Sequence, residues 1–141
     1  MDLTFSTLYP QIAITSIVVI DTKMNVVAKH SKLFKVDVPY VPSFLAFREI
    51  DPMLETYKEL KEKMLMEDNT FDIDVIFVDG NGILHPRKCG LAVHLGVILD
   101  KPTIGCAKTM FAIDGLNNKD FLKKVKKKFQ EKGDELCHEI I

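Results

Sequence analysis

Apolar residues in this chain come in short runs whose period alternates between two and about three and a half. Ile12 to Ile20 is rich in isoleucine and valine and reads as a strand. After the polar turn Asp21-Thr22-Lys23-Met24-Asn25, the pattern resumes at Val26-Val27-Ala28 and alternates through Leu33, Phe34 and Val36. Two strands joined by so short a turn form an antiparallel hairpin. Leu3 and Phe5 mark a short strand ahead of them, with Asp2 and Thr4 on its opposite face. Val38-Pro39-Tyr40-Val41-Pro42 is a loop, because each proline drives its predecessor out of helical geometry.

A helical period follows. Ser43 is a candidate cap, ahead of Phe44, Leu45, Phe47 and Glu49. Pro52 can open a second helix or a fresh turn of the same one, and Leu54, Tyr57, Leu60, Lys61 and Met64 keep helical spacing beyond it. Val75-Ile76-Phe77-Val78 has the unbroken apolar character of a buried parallel strand. It ends in Asp79, with Gly80 and Gly82 around Asn81. Cys89 to Leu99 reads as a buried helix, and Pro102 to Ala107 as the last strand, with Lys108 at its end. A final helix points Leu122, Val125 and Phe129 inward, with Lys123, Lys124, Lys126, Lys127 and Lys128 around them.

This order predicts an α/β fold with a mixed sheet: an antiparallel meander of the first three strands, then parallel strands, with helices on the faces. It matches the start of a ribonuclease H-like fold. Such a fold sets the first strand beside the fourth and brings Asp2 next to Asp79.

Composition narrows the picture. At 141 residues the chain is expected to form a single domain, residues 1–141. The net charge of -1 gives no global attraction to nucleic acid, so any basic surface is local. Cys89, Cys106 and Cys137 are odd in number and lack CxxC spacing, which favours a reducing compartment over a disulfide framework. No apolar run reaches the length of a membrane span, and no basic segment precedes Ile12 as in a signal peptide. The expected location is the cytoplasm, with the nucleus or nucleolus as the alternative.

Asp2, Glu49 and Asp79 come from three elements and can converge. Carboxylates without cysteine or histidine partners suit Mg²⁺, a hard cation that takes oxygen ligands and keeps waters. Such ions support phosphodiester hydrolysis. Taken singly, each acid is more simply a solvated strand end or helix cap. Lys108 can contact a phosphate or be an ordinary surface lysine. His85 belongs on the rim of the Asp79 loop as a proton carrier or base contact, whereas His94 reads as a packed structural histidine. The lysines at 123–128 read as a solvated helix face, with weak phosphate attraction as the secondary reading. Phe44 and Phe47 read as core residues. Tyr40, between prolines, is rigid and exposed, as suits a ring that stacks on or wedges between bases.

Four segments then occur together, in order. They are Pro39-Tyr40-Val41-Pro42-Ser43-Phe44-Leu45-Ala46-Phe47-Arg48-Glu49, Val78-Asp79-Gly80-Asn81-Gly82-Ile83-Leu84-His85-Pro86-Arg87, Gly90-Leu91-Ala92-Val93-His94-Leu95-Gly96-Val97, and Pro102-Thr103-Ile104-Gly105-Cys106-Ala107-Lys108. Together they closely resemble the endonuclease V family, from about Asp2 to Gly115. The resemblance implies Mg²⁺-dependent cleavage of nucleic acid at the second phosphodiester on the 3′ side of inosine. It implies a metal site of Asp2, Glu49 and Asp79, a wedge at Tyr40, and Lys108 near the reacting phosphate. Backbone around Leu45 and Gly80, with His85 nearby, would line the hypoxanthine pocket.

Three departures qualify the resemblance. Ser43 stands where many members have glycine, a mild change for a loop entering a helix. Asn81 stands where bacterial members usually have histidine. It resembles the animal branch, which prefers inosine in RNA to deoxyinosine in DNA. The chain also lacks the family's usual segment before the first acid and its later Gly-His segment, so the domain is expected to be incomplete at its C-terminus. The expected protein is a monomeric endoribonuclease acting on inosine-containing single-stranded RNA, with deoxyinosine DNA as a secondary substrate. The alternatives are a shortened, catalytically weak form that binds inosine RNA, and a ribonuclease H-like nuclease without base preference.

Overall fold

The computed structural model describes residues 1–67, 72–108, 111, 120, 123, 124, 126 and 127. Three strands form the meander: β1 (Asp2–Phe5), β2 (Ile12–Ile20) and β3 (Val26–Lys35), in the order β1-β2-β3 with antiparallel pairing. Asp21 closes the hairpin, its carboxylate accepting from the backbone N–H groups of Lys23 and Asn25 and from the Asn25 amide. Leu3, Ala13 and Ile17 point inward, while Asp2, Thr4, Ile14 and Val18 stand on the outer face. This is the alternation the sequence predicts.

A single helix, α1 (Leu45–Met66), packs on the inner face. Here the structure departs from two sequence expectations and decides a third. Ser43 does not cap the helix. It sits at φ 61°, in the left-handed region, and the cap position falls to Phe44, which makes no side-chain cap bond. A serine cap requires extended backbone, so the two roles exclude each other. Of the two readings of Pro52, the structure takes the fresh turn of the same helix, because α1 runs straight through it. The buried stripe Ala46, Glu49, Ile50, Met53, Thr56, Leu60 and Met64 continues across the proline. Burial of that stripe outweighs the roughly 3 kcal/mol that an interior proline costs. Finally, Phe44 and Phe47 are not core residues; they are 42% and 64% exposed. The stripe's phase turns Phe47 to the outside and carries Glu49 inward.

The second sheet pairs β4 (Ile76–Val78) with β5 (Thr103–Gly105) in parallel, joined through α2 (Leu91–Leu99). Ile76 and Val78 are buried, but Phe77 and its cross-strand partner Ile104 are exposed. The apolar run 75–78 is thus buried on one face rather than two, since no described residue covers the other. The two sheets meet at Met1. Its nitrogen donates to the Phe77 carbonyl at 2.8 Å, and the Asp79 N–H donates to the Met1 carbonyl at 3.2 Å. This is a parallel bridge between the start of β1 and the end of β4. It gives the predicted adjacency of first and fourth strands in a ribonuclease H-like arrangement.

The chain divides into two compact units, Met1–Lys108 and Thr109–Ile141. In the second, Lys123, Lys124, Lys126 and Lys127 are helical and exposed, while the inward role expected for Leu122, Val125 and Phe129 lies outside the described residues. No helix among the described residues is long and apolar enough to cross a membrane.

Candidate active site

The bridge through Met1 determines where the acids lie. Met1 stands opposite Val78, so the next residues along the two strands, Asp2 and Asp79, are neighbours at the carboxyl end of β4. Both side chains are exposed, and Asp2 Oδ2 accepts from the Thr4 hydroxyl at 2.9 Å. Glu49 approaches from α1, one turn from the helix start, and is only 7% exposed.

Burial pushes the Glu49 carboxyl up from 4.5 to about 7. The adjacent Arg48 charge opposes that rise, and the charges of Asp2 and Asp79 add to it. The Arg48 guanidinium lies 3.8 Å from the centre of the Phe5 ring, which ties the helix start to β1. The three acids expected from the sequence therefore sense one another across three elements. Among the described residues, however, no group of three acid, histidine or cysteine side chains is close enough to hold a metal ion.

The donor chemistry still fits Mg²⁺. All three groups offer hard oxygen, the cluster concentrates negative charge, and Mg²⁺ usually keeps several waters in place of a complete protein cage. A cation beside Glu49 would favour its charged form against the burial, and the lesser repulsion from Asp2 and Asp79, that raise its pKa.

An open groove of about 530 Å³ runs from Met1 and Asp79 past Cys106 and Ala107 to Lys108. The Cys106 N–H donates to the Val78 carbonyl at 2.8 Å, so the chain continues alongside β4 beyond the end of β5. That register places Lys108 on the same groove as Asp79, exposed just past the strand.

The loop after Asp79 is shaped by close backbone approach. Gly80 has φ 152°, which L side chains rarely adopt, and packs against Leu91. A Cβ on Gly90 would lie 2.1 Å from the Asn81 carbonyl oxygen. The Gly90 N–H donates to Gly82 and the Ala92 N–H to Asn81, fastening the loop onto the start of α2.

His85 is not on the rim. It is 4% exposed, with Nε2 donating to the Ser43 carbonyl at 3.1 Å and Nδ1 accepting from the Arg87 N–H at 3.2 Å. The local turn pulls it inward, since its own N–H donates to Ile83 and its carbonyl accepts from Lys88. His85 thus sits near Leu45, two residues beyond Ser43 at the start of α1. Ser43 in the left-handed region costs about 1–2 kcal/mol relative to an ordinary conformation. The exchange for glycine is therefore not mild in backbone terms. Tyr40 is 60% exposed, in keeping with its loop position. His94 is half-buried, with the Phe47 ring edge-on at 6.0 Å.

Sequence reasoning gave no role to Arg87 or Gly105, though both lie within the quoted segments. The Arg87 guanidinium is 3.7 Å from the centre of the Phe44 ring and bonds Ser43. Gly105 lies directly against the Gly80–Gly82 loop. Neither contact has a periodicity or composition signal, since both are made between segments distant in the chain.

Comparison with known proteins bears on this arrangement. The sequence profile described as Endonuclease V matches residues 1–138. Human Endonuclease V is 41% identical over 125 residues, covering 86% of this chain and 42% of the human protein. Endonuclease V of Gloeobacter violaceus is 38% identical over 112 residues, covering 78% of this chain and 42% of its own length. Thus the chain spans less than half the length of these relatives. The crystal structure of the catalytic domain of human Endonuclease V superposes with a TM-score of 0.77 at 38% identity, covering 89% of this chain and 50% of that one. Ciona intestinalis Endonuclease V, in complex with a 24mer DNA containing an inosine followed by a ribo-adenosine, gives a TM-score of 0.78 at 31% identity, covering 94% of this chain and 55% of that one. With its ribonuclease H-like fold, its acids at adjoining strand ends and a profile match over nearly its whole length, the chain belongs to the Endonuclease V family.

Proposed function

We propose that this protein is a Mg²⁺-dependent endonuclease that hydrolyses inosine-containing RNA at the second phosphodiester 3′ to inosine. The observation that carries this reading is the placement of buried Glu49 within the electrostatic reach of Asp2 and Asp79, with Asp79 itself lining a groove that also presents Lys108. The relative solved with inosine-containing DNA supports the choice of base. Asn81 favours RNA over deoxyinosine DNA, which remains the secondary substrate.

Asp2, Glu49 and Asp79 would hold the ion, which when bound supplies Lewis acidity toward phosphate oxygens. Lys108 contributes positive charge along the groove, where a phosphate lies most favourably. Tyr40 supplies a rigid, exposed ring for stacking, and backbone at Leu45 and Gly80, with His85 behind it, offers edges for hypoxanthine. Location in the cytoplasm or nucleus and a monomeric state belong to the same proposal.

The second reading is a form that binds inosine RNA without cutting it. It is favoured by the absence, among the described residues, of a three-ligand metal site. The test uses the 141-residue chain with Mg²⁺ on a single-inosine RNA, a matched adenosine RNA and a deoxyinosine DNA. Cleavage of the inosine RNA alone or foremost supports the proposal. Binding without cleavage supports the second reading, and equal cutting of inosine and adenosine RNA overturns base specificity.

A further inference from the structure

We propose that Arg87 is a positioning residue that latches the Tyr40 loop to the loop following Asp79, and so sets the place of the Tyr40 ring. The proposal deepens the nuclease reading above, since it rests on Tyr40 being the ring that meets the nucleic acid.

The loop at 38–44 connects β3 to α1 and carries Tyr40 exposed between Pro39 and Pro42. Prolines limit its internal freedom, but they do not fix its place on the rest of the protein. Inside the loop, the Phe44 N–H donates to the Val41 carbonyl at 2.9 Å. At its exit Ser43 occupies the left-handed region, at φ 61°. An L residue stays there only when its surroundings over-determine it.

Those surroundings come from 42 and 44 residues further along the chain. The Ser43 carbonyl accepts from both His85 Nε2 and Arg87 Nη2, and the Ser43 hydroxyl lies 3.3 Å from Arg87 Nη2. The same guanidinium stacks on the Phe44 ring. Arg87 therefore grips two consecutive residues of the loop, one by its edge and one by its face. Its own N–H donates to His85 Nδ1, so arginine and histidine act as one block. The block is anchored in turn, because Lys88 bonds the His85 carbonyl and the Gly82 carbonyl accepts from Gly90.

Only arginine can do this. A planar guanidinium stacks and donates in its own plane at once, whereas the ammonium of lysine is a point charge on a flexible stem. The competing role for a cation here is direct contact with a phosphate, and the two roles predict different observables.

The chain contains no tryptophan, so Tyr40→Trp installs a single fluorescent reporter on the loop. In this background and without RNA, Arg87→Ala should lower the steady-state anisotropy of the reporter. Arg87→Lys should do nearly the same; it keeps charge and stem, and so guards against loss of fold in the alanine variant. With Tyr40 restored, both variants should bind single-inosine RNA about tenfold more weakly, and the combination with Phe44→Ala should lose less than the sum of the two.

The dependence of affinity on salt should keep its wild-type slope. Unchanged anisotropy in both Arg87 variants overturns the latch. So does a fall of about one in the salt slope, which marks a lost phosphate contact. If the wild-type chain fails to prefer inosine to adenosine RNA, the nuclease reading fails, while the RNA-free anisotropy still decides the latch.

Discussion

Gly105 lies so close to Gly80 that a Cβ on Gly105 would sit 2.6 Å from the Gly80 carbonyl oxygen and 2.6 Å from the Gly82 nitrogen. The last parallel strand thus supports the loop that follows Asp79, with no room between them.

Gly105→Ala must therefore displace backbone rather than a flexible side chain. The expected outcome is a loss of about 1–3 kcal/mol in stability, the range for overpacking, together with weaker inosine discrimination. Urea unfolding and competition between inosine and adenosine RNAs would measure the two effects. A fully stable variant that also keeps wild-type discrimination would show that the loop tolerates displacement.

Glu49 makes the stability of the metal-free protein depend on pH. Its folded value of about 7 lies above the ordinary 4.5, so the folded state holds this proton more tightly than the unfolded one. The associated stability is fully present below about pH 4.5 and is lost as pH rises through about 7. The loss amounts to at most about 3 kcal/mol. Glu49→Gln should flatten this dependence and unfold at higher urea than wild type at pH 8. Adding Mg²⁺ at pH 8 should stabilise wild type and leave Glu49→Gln nearly unchanged. Parallel pH profiles for the two proteins would show that Glu49 is not strained by burial.

Asp79→Asn should leave the fold intact, because the side chain is exposed and the Asp79 N–H that binds Met1 is retained. Removing its charge takes away one of the influences that raise the Glu49 pKa, so the pH-dependent loss of stability should shrink. A neutral amide is a poor ligand for Mg²⁺, and Mg²⁺-dependent cleavage should disappear. Undiminished cleavage by the purified variant would remove Asp79 from the site.

Tyr40→Ala should weaken binding to inosine-containing strands by roughly 1–3 kcal/mol, the range for one aromatic–base stack. At 60% exposure the ring contributes little to the core, so thermal stability should hardly move. A binding titration beside a melting curve separates the cases. A large drop in melting temperature with unchanged affinity would make Tyr40 a structural residue.

Much of this protein was legible from residue order alone. The alternation in Leu3, Ala13 and Ile17 and the short turn at Asp21–Asn25 specified the meander, because period and turn length are local properties. Asp79 and Asp2 were legible as acids on strands for the same reason, and the family segments contain Glu49, Tyr40 and Lys108. Other features depend on long-range packing. The phase of α1 turned Phe44 and Phe47 outward and carried the helix through Pro52, because the continuous buried stripe outweighed a local breaker. The left-handed backbone at Ser43, the inward turn of His85 and the grip of Arg87 on Phe44 join segments more than 40 residues apart. The pKa of Glu49 likewise depends on burial and on the charges of Asp2 and Asp79, which come from other elements. Local pattern determined which elements form and which residues are candidates for chemistry. Only tertiary packing decided which of those residues are buried, strained or held in place, because burial, strain and charge coupling arise between elements and have no period along the chain.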